Sequence, residues 1–321
     1  MKQQKYFLAY LISEAEHQRQ NGHFCLADNY RSSARSFGRF LQKSGRQDVS
    51  FTELTQSLIT DYESWLLSGG ICKNTSSFYI RALQAVYHKA VNLGLTTDRR
   101  PFISVYRGVA RTMKRAISPD EVRRLSGLDI RAALRGQGFR GKGLVNRARR
   151  LEFARDIFLF CFCARGLTFV DLAYMQKTNV SRGMLVYVRR KTKQRIEVKI
   201  EPMMQDIMER YRTESPYLLP ILTRTGDDAG MHRQYRYALF RYNAQLEILG
   251  DMLGGVKLTS YVSRHSWASA AYQLHVPLSV ISQSMGHDSE RTTEIYVKSL
   301  ETNVINQANH ELLCSVFQPV G

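Results

Sequence analysis

The sequence predicts a mainly α-helical chain of two domains with one small antiparallel β-sheet. Apolar residues at helical spacing run through most of it, and one pair of alternating, β-branched segments stands near its middle. At 321 residues it is long for a single core.

The elements follow in order. Leu8, Leu11, Ile12 and Ala15 form a first helical stripe, and Tyr30, Ala34, Phe37 and Leu41 a second. Leu58, Tyr62, Trp65 and Leu66 form a third, and Tyr79, Leu83, Val86, Tyr87 and Ala90 a fourth. With turns at Gly22, Gly45, Gly69-Gly70 and Gly94 they make a helical bundle over residues 1–105. A linker is expected over 106–117, where Arg107, Arg111, Lys114 and Arg115 are spaced to follow a phosphate backbone. Ser118-Pro119-Asp120-Glu121 is a capping box with proline at the first helical position, and it opens a second domain over 118–300. There a buried helix, Ile157 to Ala164, emerges at the charge of Arg165. Met184 to Val188 and Ile196 to Ile200 read as strands joined by Arg189-Arg190-Lys191-Thr192-Lys193-Gln194-Arg195. Residues 301–321 form a tail in which Leu312, Leu313, Val316 and Phe317 either dock on a neighbouring copy or fold back.

One stretch departs from helical economy. Residues 131–150 carry seven basic side chains, no acidic one and four glycines. This reads as a flexible, nucleic-acid-contacting insertion that includes Arg140 and Lys142, or else as a solvated loop.

Composition narrows the function. Lys and Arg number 46 against 28 Asp and Glu, a net charge of +18, with a sequence pI near 9.8. Such a balance suits a chain that neutralises phosphates, and the basic residues are spread through every segment, as in a protein that surrounds its polyanion. A basic ribosome-associated or membrane-surface protein is the plainer alternative. No apolar run approaches the ~20 residues of a membrane helix, and Met1-Lys2-Gln3-Gln4-Lys5 lacks a signal-peptide core, so a cytoplasmic location with no membrane partner is expected. The five cysteines read as free thiols.

The chemistry-bearing residues lie late in the chain: Arg264-His265, Gly286-His287 and Thr292-Thr293-Glu294-Ile295-Tyr296. A tyrosine phenol, with its pKa near ~10, attacks a phosphodiester only with cations on the non-bridging oxygens and a proton acceptor or donor close by. Arginine supplies a permanent charge in a bidentate fork; histidine supplies proton transfer. A lysine on a hairpin reaches a leaving-group oxygen, and either Lys191 or Lys193 is placed for it, Lys191 being favoured. Asp171 reads as the partner of a nearby basic group or as a helix cap. His287 has a competing reading as a helix cap after Gly286, and Tyr296 as a half-buried helix tyrosine.

Taken together these residues resemble the tyrosine recombinase (phage integrase) family, whose order is Arg, hairpin Lys, His-x-x-Arg, His or Trp, and Tyr. Arg165, Lys191, Arg264, His287 and Tyr296 match in order, with Tyr296 nine residues after His287. Tyr261 stands where the family has histidine; it donates a hydrogen bond but is no neutral-pH acid or base. His265, one residue after Arg264, points about 100° away and is only a supporting candidate.

The resemblance implies a SAM-like core-binding bundle followed by an α+β catalytic domain. It implies a site-specific recombinase that cuts and rejoins DNA through a 3′-phosphotyrosyl bond and a Holliday junction, with no cofactor and no metal. The partners implied are double-stranded DNA and three further copies in a tetramer on paired sites, with accessory DNA-bending proteins. Asn74 and Thr75, at the start of the fourth helix, are candidate phosphate contacts or plain cap residues, and Lys193 is a further DNA-facing candidate. A type IB topoisomerase-like enzyme and a DNA-binding architectural protein with a decayed catalytic set are the other readings.

Overall fold

The first stripe of apolar residues becomes α1 (Phe7–Gln20), whose free N-terminal amides of Leu8 and Ala9 are taken by the carboxylate of Asp48 at 2.8 and 2.9 Å. The computed structural model describes residues 5–110, 115–287, 289–290 and 293–294, and the chain divides into two compact units, 1–112 and 113–321. In the first unit α2 (Phe24–Lys43), α3 (Gln56–Ser68) and α4 (Lys73–Asn92) complete a four-helix bundle. Its core is largely aromatic: Phe7, Phe37, Phe40, Phe51 and Tyr62 meet edge-on or tilted, and the Tyr62 hydroxyl donates to Ser36 Oγ at 2.8 Å.

The start of α4 has a structural task. Both ends of the Asn74 amide bind Ala110, its Nδ2 donating to the carbonyl at 2.9 Å and its Oδ1 accepting from the amide at 2.7 Å. Ser77 Oγ donates to the Gly108 carbonyl. Asn74 therefore fastens residues 108–110 onto the bundle, a role that neither phosphate contact nor capping anticipates, while Thr75 pairs with the exposed Cys72 thiol. Arg107 is exposed; Arg111 and Lys114 lie outside the described residues.

The second unit opens with α5 (Pro119–Ser126), and the expected capping box is formed: Ser118 Oγ accepts from Glu121 N, and Glu121 Oε2 accepts from Ser118 N. Residues 131–150 are not a flexible insertion. They form most of α6 (Ile130–Gly136) and the first turns of α7 (Gly141–Cys163). The glycines misled because two of them, Gly138 and Gly141, make the turn between these helices, while Gly136 and Gly143 are carried inside them. Leu134, Ala148 and Leu151 bury one face, and Arg147 lies over the Phe139 ring at 4.7 Å, leaving Arg140 and Lys142 exposed.

After α7 come α8 (Phe169–Ala173) and a three-stranded antiparallel sheet, β1 (Val180–Ser181), β2 (Met184–Val188) and β3 (Arg195–Lys199), in that order. Strand β2 matches its expected bounds and β3 begins one residue earlier than expected. Leu185 pairs with Val198 and Tyr187 with Ile196, and these four turn inward. Helices α9 (Pro202–Arg210), α10 (Asp228–Met252), α11 (Val262–Gln273) and α12 (Leu278–Met285) follow. The buried helix α7 packs against α6, α9, α10 and α11, which makes it the axis of this unit. Among the described residues no helix is long and apolar enough to cross a membrane, and no cluster of three His, Cys, Asp or Glu side chains could hold a metal ion.

Candidate active site

The apolar helix α7 ends in two successive left-handed residues, Arg165 (φ 57°) and Gly166 (φ 71°). A Cβ on Gly166 would stand 3.0 Å from Arg264 Cα and 3.1 Å from its Cγ, so the close approach of α11 requires glycine there. The Arg264 side chain is then trapped: with 2% exposure, it donates from Nη1 to the Gly166 carbonyl at 2.6 Å. Its Nη2 donates to the Met285 carbonyl at 2.7 Å and meets His287 Nε2 at 2.8 Å.

His287 follows the left-handed Gly286 that closes α12. Because a guanidinium only donates, Nε2 of His287 carries the lone pair and Nδ1 the proton, which it shares with Thr293 Oγ1 at 2.7 Å. Burial lowers the affinity of this imidazole for a second proton, and the charges of Arg264, Arg189 and Lys191 lower it further, to a pKa of about 3. It is neutral at any ordinary working pH.

The β2–β3 loop leans on this turn. Arg189 Nη1 and Thr192 Oγ1 both donate to the Gly286 carbonyl, the second at 3.1 Å, and Gln194 Nε2 donates to the His287 carbonyl at 3.3 Å. A Cβ on Gly286 would meet Ile196 Cδ1 at 2.7 Å and Arg189 Cδ at 3.1 Å. At the base of the loop Asp171 accepts from Arg190 N at 2.9 Å and from Thr168 Oγ1 at 2.6 Å, and it lies 3.9 Å from Arg189 Nε. Asp171 thus orients a basic segment from within the cap of α8.

Arg264 and His287, predicted from sequence, are in direct contact, and the field of Lys191 reaches His287. Lys193 adopts a left-handed turn conformation (φ 60°) and, like Lys191, is exposed. Arg165 is half-buried, and its Nη1 approaches the Glu197 carbonyl at 3.5 Å. Tyr261 precedes α11, half exposed, its ring 6.0 Å from that of the buried His265. Tyr296 lies outside the described residues.

The missed residue is Arg189, 5% exposed and inside the cluster. A signal was available: Asp171 needs a basic partner, and an arginine at the end of a strand is one candidate for it.

Residues 6–104 match the phage integrase SAM-like domain. Over 242 residues the chain is 23% identical to the tyrosine recombinase XerC of Chlorobaculum parvum (strain DSM 263 / NCIMB 8327), covering 72% of this chain and 70% of that one. The chain is related to the tyrosine recombinases. The fold agrees with the relationship. A lambda integrase dimer bound to a COC′ core site superposes with a TM-score of 0.59 at 13% identity, over 91% of this chain and 77% of that one. XerH bound to a difH substrate gives 0.54 at 14% identity, over 84% and 75%.

Proposed function

We propose that this chain is a site-specific tyrosine recombinase that cuts double-stranded DNA through a 3′-phosphotyrosyl intermediate on Tyr296. The observation that carries the reading is the buried contact of Arg264 with His287, walled by the Arg165-Gly166 turn and by the hairpin that bears Lys191.

In this reading Arg264 and Arg189 face the non-bridging oxygens, with Arg165 and Tyr261 at the rim. A buried guanidinium in a water-poor site stabilises the charge that grows on a five-coordinate phosphorus far better than one in water does. The Tyr296 oxygen bonds to phosphorus, the bond to the 5′-oxygen breaks, and Lys191 delivers a proton to that oxygen. The phenolic proton passes to Nε2 of His287 as Arg264 Nη2 turns from that nitrogen to the phosphate; the anionic phosphate offsets the cations that depress its basicity. The phosphodiester bond is conserved in the phosphotyrosine, so a 5′-hydroxyl of another strand reverses the step. Two such exchanges pass through a Holliday junction. A lambda integrase tetramer bound to a Holliday junction, with a TM-score of 0.59 to this chain, supports a tetrameric assembly on paired sites. The residues in this scheme call for no metal and no cofactor.

The test is a suicide duplex, nicked near a site from the gene's own flanking DNA and incubated in EDTA. Wild type is expected to form a denaturant-resistant adduct that Tyr296→Phe does not. An adduct retained by Tyr296→Phe, or DNA binding without any adduct, rejects the reading.

A further inference from the structure

Among the described residues none bonds the backbone of Lys191, and it is exposed. Its position is set by its neighbours. On one side, the Arg190 amide is held by Asp171 Oδ1 at 2.9 Å. On the other, the Thr192 hydroxyl is bonded to the Gly286 carbonyl at 3.1 Å. The loop is closed beneath them by Arg189 N to the Gln194 carbonyl and Lys193 N to the Arg189 carbonyl, both 2.8 Å. The partner of Thr192 is the residue immediately before His287, and Gln194 holds His287 itself by its carbonyl.

We propose that Thr192 is a positioning residue for the proton donor, its hydroxyl clasping the hairpin to the Gly286-His287 turn so that Lys191 and His287 are placed as one unit. The inference rests on the reading of Lys191 as that donor. Geometry supports a hydroxyl role at this residue. The Gly286 carbonyl keeps Arg189 as a second donor, so loss of the Thr192 bond leaves no buried acceptor unpaired and the fold survives it. What is lost is a restraint one residue from Lys191. A long lysine on an unrestrained loop spends less of its time within reach of a leaving oxygen.

The experiment compares two nicked suicide duplexes, one with an ordinary phosphodiester and one with sulfur replacing the 5′-bridging oxygen. A thiolate departs without a proton, so the sulfur duplex does not need the donor. Single-turnover adduct formation is measured for wild type, Thr192→Val, Thr192→Ser and Lys191→Ala. Thr192→Val is expected to slow the oxygen duplex by about 10-fold, a part of the ~100-fold or more that general-acid catalysis supplies, and to act on the sulfur duplex at the wild-type rate. Thr192→Ser, which keeps the hydroxyl, is expected to match wild type on both. An equal loss on both duplexes, or none on the oxygen duplex, overturns the clasp. Lys191→Ala separates the two ideas. If the sulfur duplex rescues Lys191→Ala but not Thr192→Val, only the clasp fails. If it does not rescue Lys191→Ala, the donor reading fails and the clasp with it.

Discussion

Nη2 of Arg264 lies 2.8 Å from Nε2 of His287, so the two residues that the sequence separates by 23 positions share one hydrogen bond in a buried setting. The bond fixes the tautomer of His287, and the same guanidinium is spread across the carbonyls of Gly166 and Met285. One planar fork thereby ties the end of α7, the end of α12 and the histidine together.

Replacing Arg264 by lysine keeps the charge and removes the fork. A single ammonium cannot span Gly166, Met285 and His287 at once. Adduct formation by Arg264→Lys is expected to fall by about 100-fold or more, the scale seen when one donor to a developing oxyanion is lost. Single-turnover rates measured at saturating DNA decide it, and a rate within a few-fold of wild type refutes the assignment.

Arg189 is expected to matter more than Arg165. Arg189→Ala removes both a cation beside His287 and a donor to Gly286, so adduct formation drops and the pKa of His287 rises from about 3 toward its ordinary value. Arg165→Ala is expected to leave the His287 titration unchanged. Nitrogen NMR of the imidazole across the pH range, in both variants, reads the difference directly.

The pH dependence of stability has a definite sign. Folded His287 stays unprotonated down to about pH 3, whereas in the unfolded chain a histidine takes up a proton below about 6.5. Between those values unfolding binds a proton, so stability is lost as pH falls through this window, and above it His287 contributes no pH dependence. Urea denaturation at about pH 7.5 and about pH 5 should show a smaller acid loss for His287→Gln than for wild type. Equal losses contradict the buried, neutral state.

Gly286→Ala tests the turn itself. A left-handed φ of 64° disfavours any Cβ, and this one would press on Ile196 Cδ1 at 2.7 Å. The left-handed conformation alone costs about 1–2 kcal/mol, and the contact adds to it. A lower urea midpoint together with slowed cleavage is the expected result; an unchanged midpoint argues against the packing described here.

How much of this was legible beforehand varies by level. The four stripes of the first unit and the capping box at Ser118 were readable because periodicity and cap chemistry are local. Strand β2 was readable for the same reason. Residues 131–150 were misread because composition counts glycines without saying which of them bend the chain, and Leu134, Ala148 and Leu151 find their apolar partners only once α6 packs on α7. The bond of Asn74 to Ala110 was not readable, because its partner lies 36 residues away.

By itself the sequence determined which residue types are present and in what order, and it pointed to Arg264, His287 and Lys191 as one set. It did so because such a set is a matter of identity and spacing along the chain. Only the tertiary structure showed that Arg189 lies beside them, drawn inward by Asp171 and the Gly286 carbonyl. A guanidinium is buried only where acceptors meet it, and where acceptors meet is decided by packing.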